Sequence, residues 1–365
     1  MTVVRKDVEK ATLLYEEVLK IDPKHCMALG NLAMLKHQIG QFEESYTLYE
    51  KSISLYPNHA TVLASFANLI KIWKKDYVRS KQFFEKAIHA SSQDDTELLG
   101  NYAVLLHGCI RDYDAAEKAY ERSIKALGGT DNANALGNYA LFLCDVRRDF
   151  KKAERTYEQA VRADPSHSNS LYNYGVFLET IRDDTKRAAE FYDRAVRSND
   201  QHVLARQALA GLLESTNPNR AERLYKDALK LVQDNDAPLL ADFGTFLSKQ
   251  GGENNIKRAI KMMTRSIELD GSQQNLMYNL AYLQKKISRW DLAVETLQRL
   301  LLINPKHATA LGLLANIRAS PQGGAALQNL TEARHLYERA LEVAPNDATN
   351  RKNYEIFLLE NVDDC

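Results

Sequence analysis

Apolar residues recur with helical spacing in a unit of two short segments that is repeated along the chain. In the clearest copy, residues 136–165, one apolar stripe recurs at i, i+3, i+4 and i+7. A second stripe follows a polar turn and ends at Pro165, because proline lacks the amide donor that a continuing helix needs. The stripes are Leu136, Tyr139, Ala140 and Leu143, then Ala153, Tyr157, Ala160 and Val161. The pattern predicts two short helices joined by a tight turn.

A small residue in each first segment sets the register of the copies, which follow one another at intervals of 34 to 37 residues. The pattern predicts twenty helices: nine full pairs, a lone second helix before them and a lone first helix after them. Because one pair cannot bury its own stripe, we expect neighbours to stack into a single array over 1–365, with weak points near 234–236, 250–256 and 319–330. The register residues are Ala33, Ala67, Ala103, Ala140, Gly175, Ala210, Gly244, Ala281 and Ala315.

This pattern resembles the tetratricopeptide repeat, a helix–turn–helix unit of about 34 residues. The shared features are the small residue of the first helix, an alanine or serine and an aromatic residue in the second, and a terminal proline. The resemblance implies an all-α, right-handed solenoid whose first helices line the concave face. The segments YALFL, YGVFLE and YEIFLLE also look like the half-a-tetratricopeptide repeats of RNA-processing scaffolds. That family's first-helix tryptophan is absent, which favours the ordinary repeat.

Asparagine recurs two residues before the register residue in six first helices. Its amide offers a donor and an acceptor, which match the groups of a peptide backbone, so a column of amides would hold an extended chain with little regard to its sequence. This column resembles the asparagine ladder of O-linked N-acetylglucosamine transferase, which grips the substrate backbone. The alternative is that asparagine is simply common at this position in the family. The candidates are Asn31, Asn101, Asn138, Asn173, Asn279 and Asn353.

Glycine and tyrosine supply further candidates for partner binding. Gly30, Gly100 and Gly137 directly precede three of the asparagines, although glycine inside a helix costs roughly 1 kcal/mol relative to alanine. These glycines either let a ligand approach the helix backbone or relieve crowding on the inner curve. Tyrosines are good contact residues because they are apolar in body and polar at the tip. Tyr172, Tyr278 and Tyr282 are therefore candidate groove residues, with packing between repeats as the alternative.

Charge and composition exclude several classes of partner. The chain has 48 basic and 48 acidic residues, balanced along its length, so no stretch favours phosphate neutralisation and no nucleic acid is expected. No run of eighteen apolar residues predicts a membrane span. Four scattered cysteines suit a reducing compartment, the cytoplasm or the nucleus. No three consecutive first helices supply the lysines, asparagines and arginine of a carboxylate clamp, so a chaperone C-terminal tail is not expected.

No residue pattern predicts catalysis, a metal site or a cofactor. The histidines at repeat ends are separated by helices that pack about 8–10 Å apart, too far for them to share a zinc ion with ligands about 2 Å away. We therefore expect a non-enzymatic scaffold that binds an extended peptide or helix of a partner protein in the concave groove. Two alternatives remain: a substrate-selecting arm of a larger enzyme such as a glycosyltransferase, and an RNA-processing scaffold. The histidines are His25, His59, His167, His202 and His307.

Overall fold

The computed structural model describes residues 2–126, 132–325 and 327–361, and that part of the chain contains twenty α-helices and no strand. They are α1 Thr2–Ile21, α2 Cys26–Gln38, α3 Phe42–Leu55, α4 Ala60–Leu69, α5 Tyr77–Ala90, α6 Thr96–Leu105, α7 Tyr113–Lys125, α8 Ala133–Phe142, α9 Phe150–Ala163, α10 Ser168–Thr180, α11 Thr185–Ser198, α12 Val203–Leu213, α13 Pro218–Leu231, α14 Ala237–Gln250, α15 Glu253–Leu269, α16 Gln274–Lys286, α17 Trp290–Ile303, α18 Ala308–Ala319, α19 Leu330–Val343 and α20 Ala348–Glu360. From α2 to α19 they form nine antiparallel pairs, with α1 and α20 at the ends. The predicted number and pairing of the helices are confirmed.

The chain divides into two compact units, residues 1–200 and 201–365. In the first unit the first helices α2, α4, α6, α8 and α10 contact one another in sequence and form a continuous layer. In the second unit α16, α18 and α20 contact one another in the same way. The single array over 1–365 stays a prediction. Of its three predicted weak points, 234–236 lies between α13 and α14, whereas 250–256 and 319–330 include ends of the flanking helices, and residue 326 lies outside the described residues.

Side-chain caps explain where the helices begin. The repeat-end histidines are N-caps of first helices: Nδ1 of His25, for example, accepts the N–H of Ala28 at 3.2 Å. Aspartate is the N-cap of several second helices, and Asp149 Oδ1, for example, accepts the N–H of Lys152 at 3.0 Å. Each cap satisfies a backbone donor that the helix itself leaves without a partner. The histidines therefore have a structural role at the turns between repeats.

Replacing Asp149 with alanine should lower the free energy of unfolding by about 0.5–2 kcal/mol, because the first turn of α9 loses its acceptor. Asp145→Ala is the matched control, since Asp145 is exposed and caps no helix, and its effect should stay within about 0.5 kcal/mol. Urea unfolding followed by circular dichroism measures both. Equal losses in the two variants would contradict the assigned cap.

Small residues bring the two helices of a repeat together, and aromatic rings join one repeat to the next. The register alanines are all fully buried, and so are the small residues that pack against them from the second helices, such as Ser45, Ala153 and Ala160. Buried serines keep their hydroxyls satisfied by donating to the first helix of the same repeat, as Ser45 Oγ does to the carbonyl of Ala33 at 2.7 Å. The Tyr157 ring of α9 lies 5.5 Å from the Tyr174 ring of α10, measured between centroids. The core thus runs between repeats, which single pairs cannot build alone.

Candidate functional site

The predicted asparagines lie on an exposed stripe of the first helices. In α8, Asn138 and Leu141 lie three residues apart, and an asparagine and a valine occupy the equivalent positions of α6 and α10. Each helix contributes a half-buried asparagine followed by a half-buried aliphatic residue. We call the six residues of this set the amide stripe: Asn101 and Val104 of α6, Asn138 and Leu141 of α8, and Asn173 and Val176 of α10.

The amides of this stripe have few partners within the protein. Asn101 and Asn173 make no side-chain hydrogen bond to any described residue, and Asn138 makes one long contact of 3.5 Å with Asn134. Asn31 differs, because its Nδ2 donates to the Tyr15 hydroxyl at 3.2 Å and so joins α2 to α1. The structure therefore leaves donors and acceptors available on α6, α8 and α10, while Asn31 has an intramolecular role.

Two of the predicted asparagines belong to the second unit. Asn279 of α16 is exposed, Asn353 of α20 is half-buried, and neither side chain bonds to a described residue. Asn279 and Asn275 line an open cavity of about 510 Å³ together with Thr245 of α14. These two asparagines lie on α16 and α20, whereas the amide stripe occupies three consecutive first helices of the first unit.

Three further asparagines were missed by the sequence analysis. Asn134, Asn169 and Asn275 each lie four residues before a predicted asparagine and are exposed. Residues four apart on a helix share a face, so the i, i+4 spacing was the signal that could have found them. Asn134 and Asn169 double the number of asparagine amides on this face of α8 and α10.

The predicted glycines are buried, and close packing against neighbouring helices explains why they have no side chain. A Cβ on Gly30 would lie 2.7 Å from Val62 Cγ2 of α4, and one on Gly137 would lie 2.6 Å from Ser170 Oγ of α10. Gly100 is less crowded, with its nearest neighbour, Ser123 Oγ, at 3.6 Å. Of the two interpretations left open by the sequence, the geometry favours relief of crowding over a floor that a ligand reaches.

The three predicted tyrosines are not equivalent. The Tyr172 ring lies 5.7 Å from that of Tyr192, and the Tyr278 ring stacks on His307 at 6.1 Å, so both pack inside their own unit. Burial raises the pKa of the Tyr278 hydroxyl. Tyr282 is 51% exposed and lies three residues after Asn279 on the same face of α16. It is the tyrosine that remains open to a partner.

One histidine beside the stripe is uncharged at neutral pH. His107, in the π-helical turn after α6, packs its ring 5.1 Å from that of Phe142, and burial lowers the pKa of its imidazole. The imidazole is therefore mainly neutral at pH 7, because its pKa lies below the usual 6.5. Charged side chains lie on the same face, since exposed Glu97 and Asp145 stand four residues before Asn101 and seven residues after Asn138.

Other kinds of site are absent from the described part of the chain. No group of three or more histidine, cysteine, aspartate or glutamate side chains is placed to hold a metal ion in residues 2–126, 132–325 and 327–361. Over the same residues, no helix has both the length and the apolar character that crossing a membrane requires.

Stacked antiparallel helix pairs with small residues at each crossing define a helical-repeat protein. The chain contains tetratricopeptide repeats: family models described as tetratricopeptide repeat match residues 28–59, 146–203 and 276–307. Such proteins are generally protein-interaction scaffolds. No curated protein matches the sequence.

Several solved structures resemble the chain at low sequence identity. The protective antigen c5321 of uropathogenic Escherichia coli, which displays an SLR fold, is 14% identical with a TM-score of 0.58, over 98% of this chain and 81% of its own. Yeast Tom70 is 14% identical with a TM-score of 0.42, over 99% and 94%. YrrB, described as a TPR protein with an unusual peptide-binding site, is 20% identical with a TM-score of 0.38, over 52% and 95%. The likeness to c5321 supports a TPR- or SLR-like solenoid of helix pairs.

Proposed function

We propose that the amide stripe of the first unit binds an extended segment of a partner protein. The proposal rests on Asn101, Asn138 and Asn173, which occupy equivalent places on three consecutive first helices. Among the described residues, their amides make one weak side-chain bond, from Asn138 to Asn134. Amide groups that recur on successive helices and have no protein partner can exchange hydrogen bonds with the backbone of a ligand. The family resemblance implies that first helices line a concave side, and the proposed binding face would lie there.

The spacing of the helices suits an extended backbone. Packed helices lie about 8–10 Å apart, and an extended chain advances about 3.3 Å per residue. One amide of the stripe therefore meets the ligand about every third residue. There it accepts from a backbone N–H and donates to a backbone carbonyl, while Val104, Leu141 and Val176 contact the side chains between.

This binding role requires no catalytic residue in the chain itself. A substrate-selecting arm of a larger enzyme would use the same face in the same way, and the experiment below tests the face in either setting. Since basic and acidic residues are equal in number and evenly distributed, the proposed ligand is a protein segment and not RNA.

The triple variant Asn101→Ala, Asn138→Ala and Asn173→Ala tests the proposal. A library of displayed 12-residue peptides is first selected on the wild-type protein, and the affinities of the selected peptides are then measured on both proteins. Each lost hydrogen bond is worth about 0.5–1.5 kcal/mol, so three should weaken binding by at least about tenfold. Asn254→Ala, an exposed asparagine on α15, is the control and should leave affinity unchanged.

Backbone recognition gives a second, independent measurement. Methylating every third backbone nitrogen of a selected peptide removes the N–H groups that would donate to the asparagine amide oxygens of the stripe. The affinity should therefore fall as it does for the triple variant. A folded triple variant with wild-type affinity would refute the proposal. Peptides that are insensitive to N-methylation would refute backbone recognition.

A further inference from the structure

The second unit contains a cavity of about 210 Å³ between the second helices α15 and α17. Its floor is the first helix α16, which contributes Met277, Leu280 and Gln284. Ile267 of α15 and Thr296 of α17 form opposite walls. At the mouth, Leu292, Glu295 and Arg299 of α17 are exposed. The cavity is thus apolar inside, with a polar and charged rim.

Beside the cavity, this repeat lacks a ring that several other repeats have. The residue before the register position is aromatic in α8, α10 and α14, as Tyr139, Tyr174 and Phe243. In the first unit the Tyr174 ring fills the equivalent space. Its centroid lies 5.5 Å from that of Tyr157, on the second helix of the preceding repeat, and 4.6 Å from that of Phe191, on the second helix of the same repeat. The residues equivalent to Tyr157, Tyr174 and Phe191 are here Met263, Leu280 and Thr296. Of these three residues, Leu280 and Thr296 line the cavity.

A buried amide lines the same space. Gln284 is 5% exposed, at a position that holds fully buried aliphatic residues in other first helices, such as Leu143 and Leu178. Its Oε1 lies 2.9 Å from the Thr296 hydroxyl. Its Nε2 has no acceptor among the described residues. This N–H group has no partner among the described residues and is not itself fully buried, so it is available to a ligand that carries an acceptor atom.

We propose that this cavity binds a tyrosine side chain of a partner protein. The aromatic ring would occupy the space that Tyr174 fills in its own repeat, and the phenol oxygen would accept a hydrogen bond from Gln284 Nε2. The volume is sufficient, since a cavity of about 150 Å³ holds benzene. A protein ligand agrees with the surroundings, because an apolar pocket within a polar, solvent-exposed rim is the usual anatomy of an interface, where tyrosine is a frequent anchor.

The test uses N-acetyltyrosinamide and N-acetylphenylalaninamide as models of the two side chains within a peptide, with p-cresol as the free phenol. Each is titrated into protein labelled with ¹³C at its methyl groups. We expect saturable shifts of the Met277 and Leu280 methyl signals with N-acetyltyrosinamide and p-cresol, and affinity for the phenylalanine compound at least about threefold lower, as expected for the loss of one hydrogen bond.

Two variants separate the contributions of shape and hydrogen bonding. Leu280→Phe supplies the ring that Phe243 supplies in the preceding repeat, so it should fold and abolish the Met277 shifts. Gln284→Leu restores the usual aliphatic residue, so it should bind the tyrosine and phenylalanine compounds equally. Thermal unfolding checks that both variants fold, and the Asn101, Asn138 and Asn173 triple variant should bind all three compounds as the wild type does.

Several outcomes would overturn the proposal. The cavity does not bind tyrosine if N-acetyltyrosinamide causes no saturable shift, or if its shifts persist in folded Leu280→Phe. Binding of p-cresol alone would make it a site for small phenols. A Met277 shift that grows with protein concentration without any compound would assign the cavity to a second copy of the chain. An unchanged preference in Gln284→Leu would remove the amide from the proposed recognition.

Discussion

Tyr157→Ala is expected to lower the free energy of unfolding by about 3–5 kcal/mol, as truncation of a large buried aromatic residue does. The Tyr157 side chain is 1% exposed. Its ring lies 5.5 Å from that of Tyr174 and 5.6 Å from that of Phe177, both on α10 of the next repeat. The substitution therefore removes contacts that join two repeats, and the cavity left behind cannot close without moving both helices.

Tyr56→Ala is the matched control for this variant. It removes the same side chain from the same unit, but Tyr56 is 55% exposed and follows the end of α3. Its effect should stay within about 0.5 kcal/mol, as for other surface substitutions. Urea unfolding, followed by far-ultraviolet circular dichroism and by tyrosine fluorescence, measures both. A loss below about 1 kcal/mol for Tyr157→Ala would contradict a core built from rings between repeats.

The number of helices could be predicted because every copy gives the same information. Ala140, Ala153 and Tyr157 have counterparts at a nearly constant interval, so an ambiguous helix in one copy is resolved by the others. The proline and histidine at the ends of repeats locate the turns in the same way. Repetition thus compensates for the weakness of local propensity, which by itself leaves the ends of elements uncertain.

The ends of three first helices could not be predicted. After α4, α6 and α8 the chain continues through a wider π-helical turn, at Ile70–Lys74, Leu106–Ile110 and Leu143–Arg147. Each π-helical turn ends at a basic residue with positive φ, and the last of these is Arg148 at 56°. Non-glycine residues seldom adopt this conformation, and no local sequence preference predicts it. Backbone hydrogen bonds close two of these turns, as from the N–H of Asp149 to the carbonyl of Leu143 at 3.0 Å.

The sequence could predict only those features of the candidate site that the geometry of a single helix determines. The asparagines and their i, i+4 partners share a face by helical geometry alone. The glycines depend on residues about 33 positions away, because Ser170 and Val62 decide whether Gly137 and Gly30 have room for a side chain. The cavity of the second unit depends on Leu280 and Thr296 together, on two helices. Such pairs become visible only when the repeats are stacked.

Alanine is expected to have opposite effects at two helical glycines, and this contrast tests the close approach of first and second helices. At Gly175 an added Cβ would lie 2.6 Å from Cε1 of Tyr192, the central ring of α11. The ring is 1% exposed, and its hydroxyl donates to Glu179 Oε2 at 2.7 Å, so it cannot easily move aside. Overpacking of this kind costs about 1–3 kcal/mol, which exceeds the gain of up to about 1 kcal/mol in helix propensity.

Gly108 is the counterpart without a neighbour. It is exposed in the π-helical turn after α6, and an added Cβ would meet nothing within 4 Å. Gly108→Ala should therefore raise the free energy of unfolding by up to about 1 kcal/mol, because alanine loses less conformational entropy on folding. Urea unfolding of both variants under the same conditions gives the comparison. Stabilisation by Gly175→Ala would show that α10 and α11 can separate at little cost, and the register residue would then have no steric reason to be small.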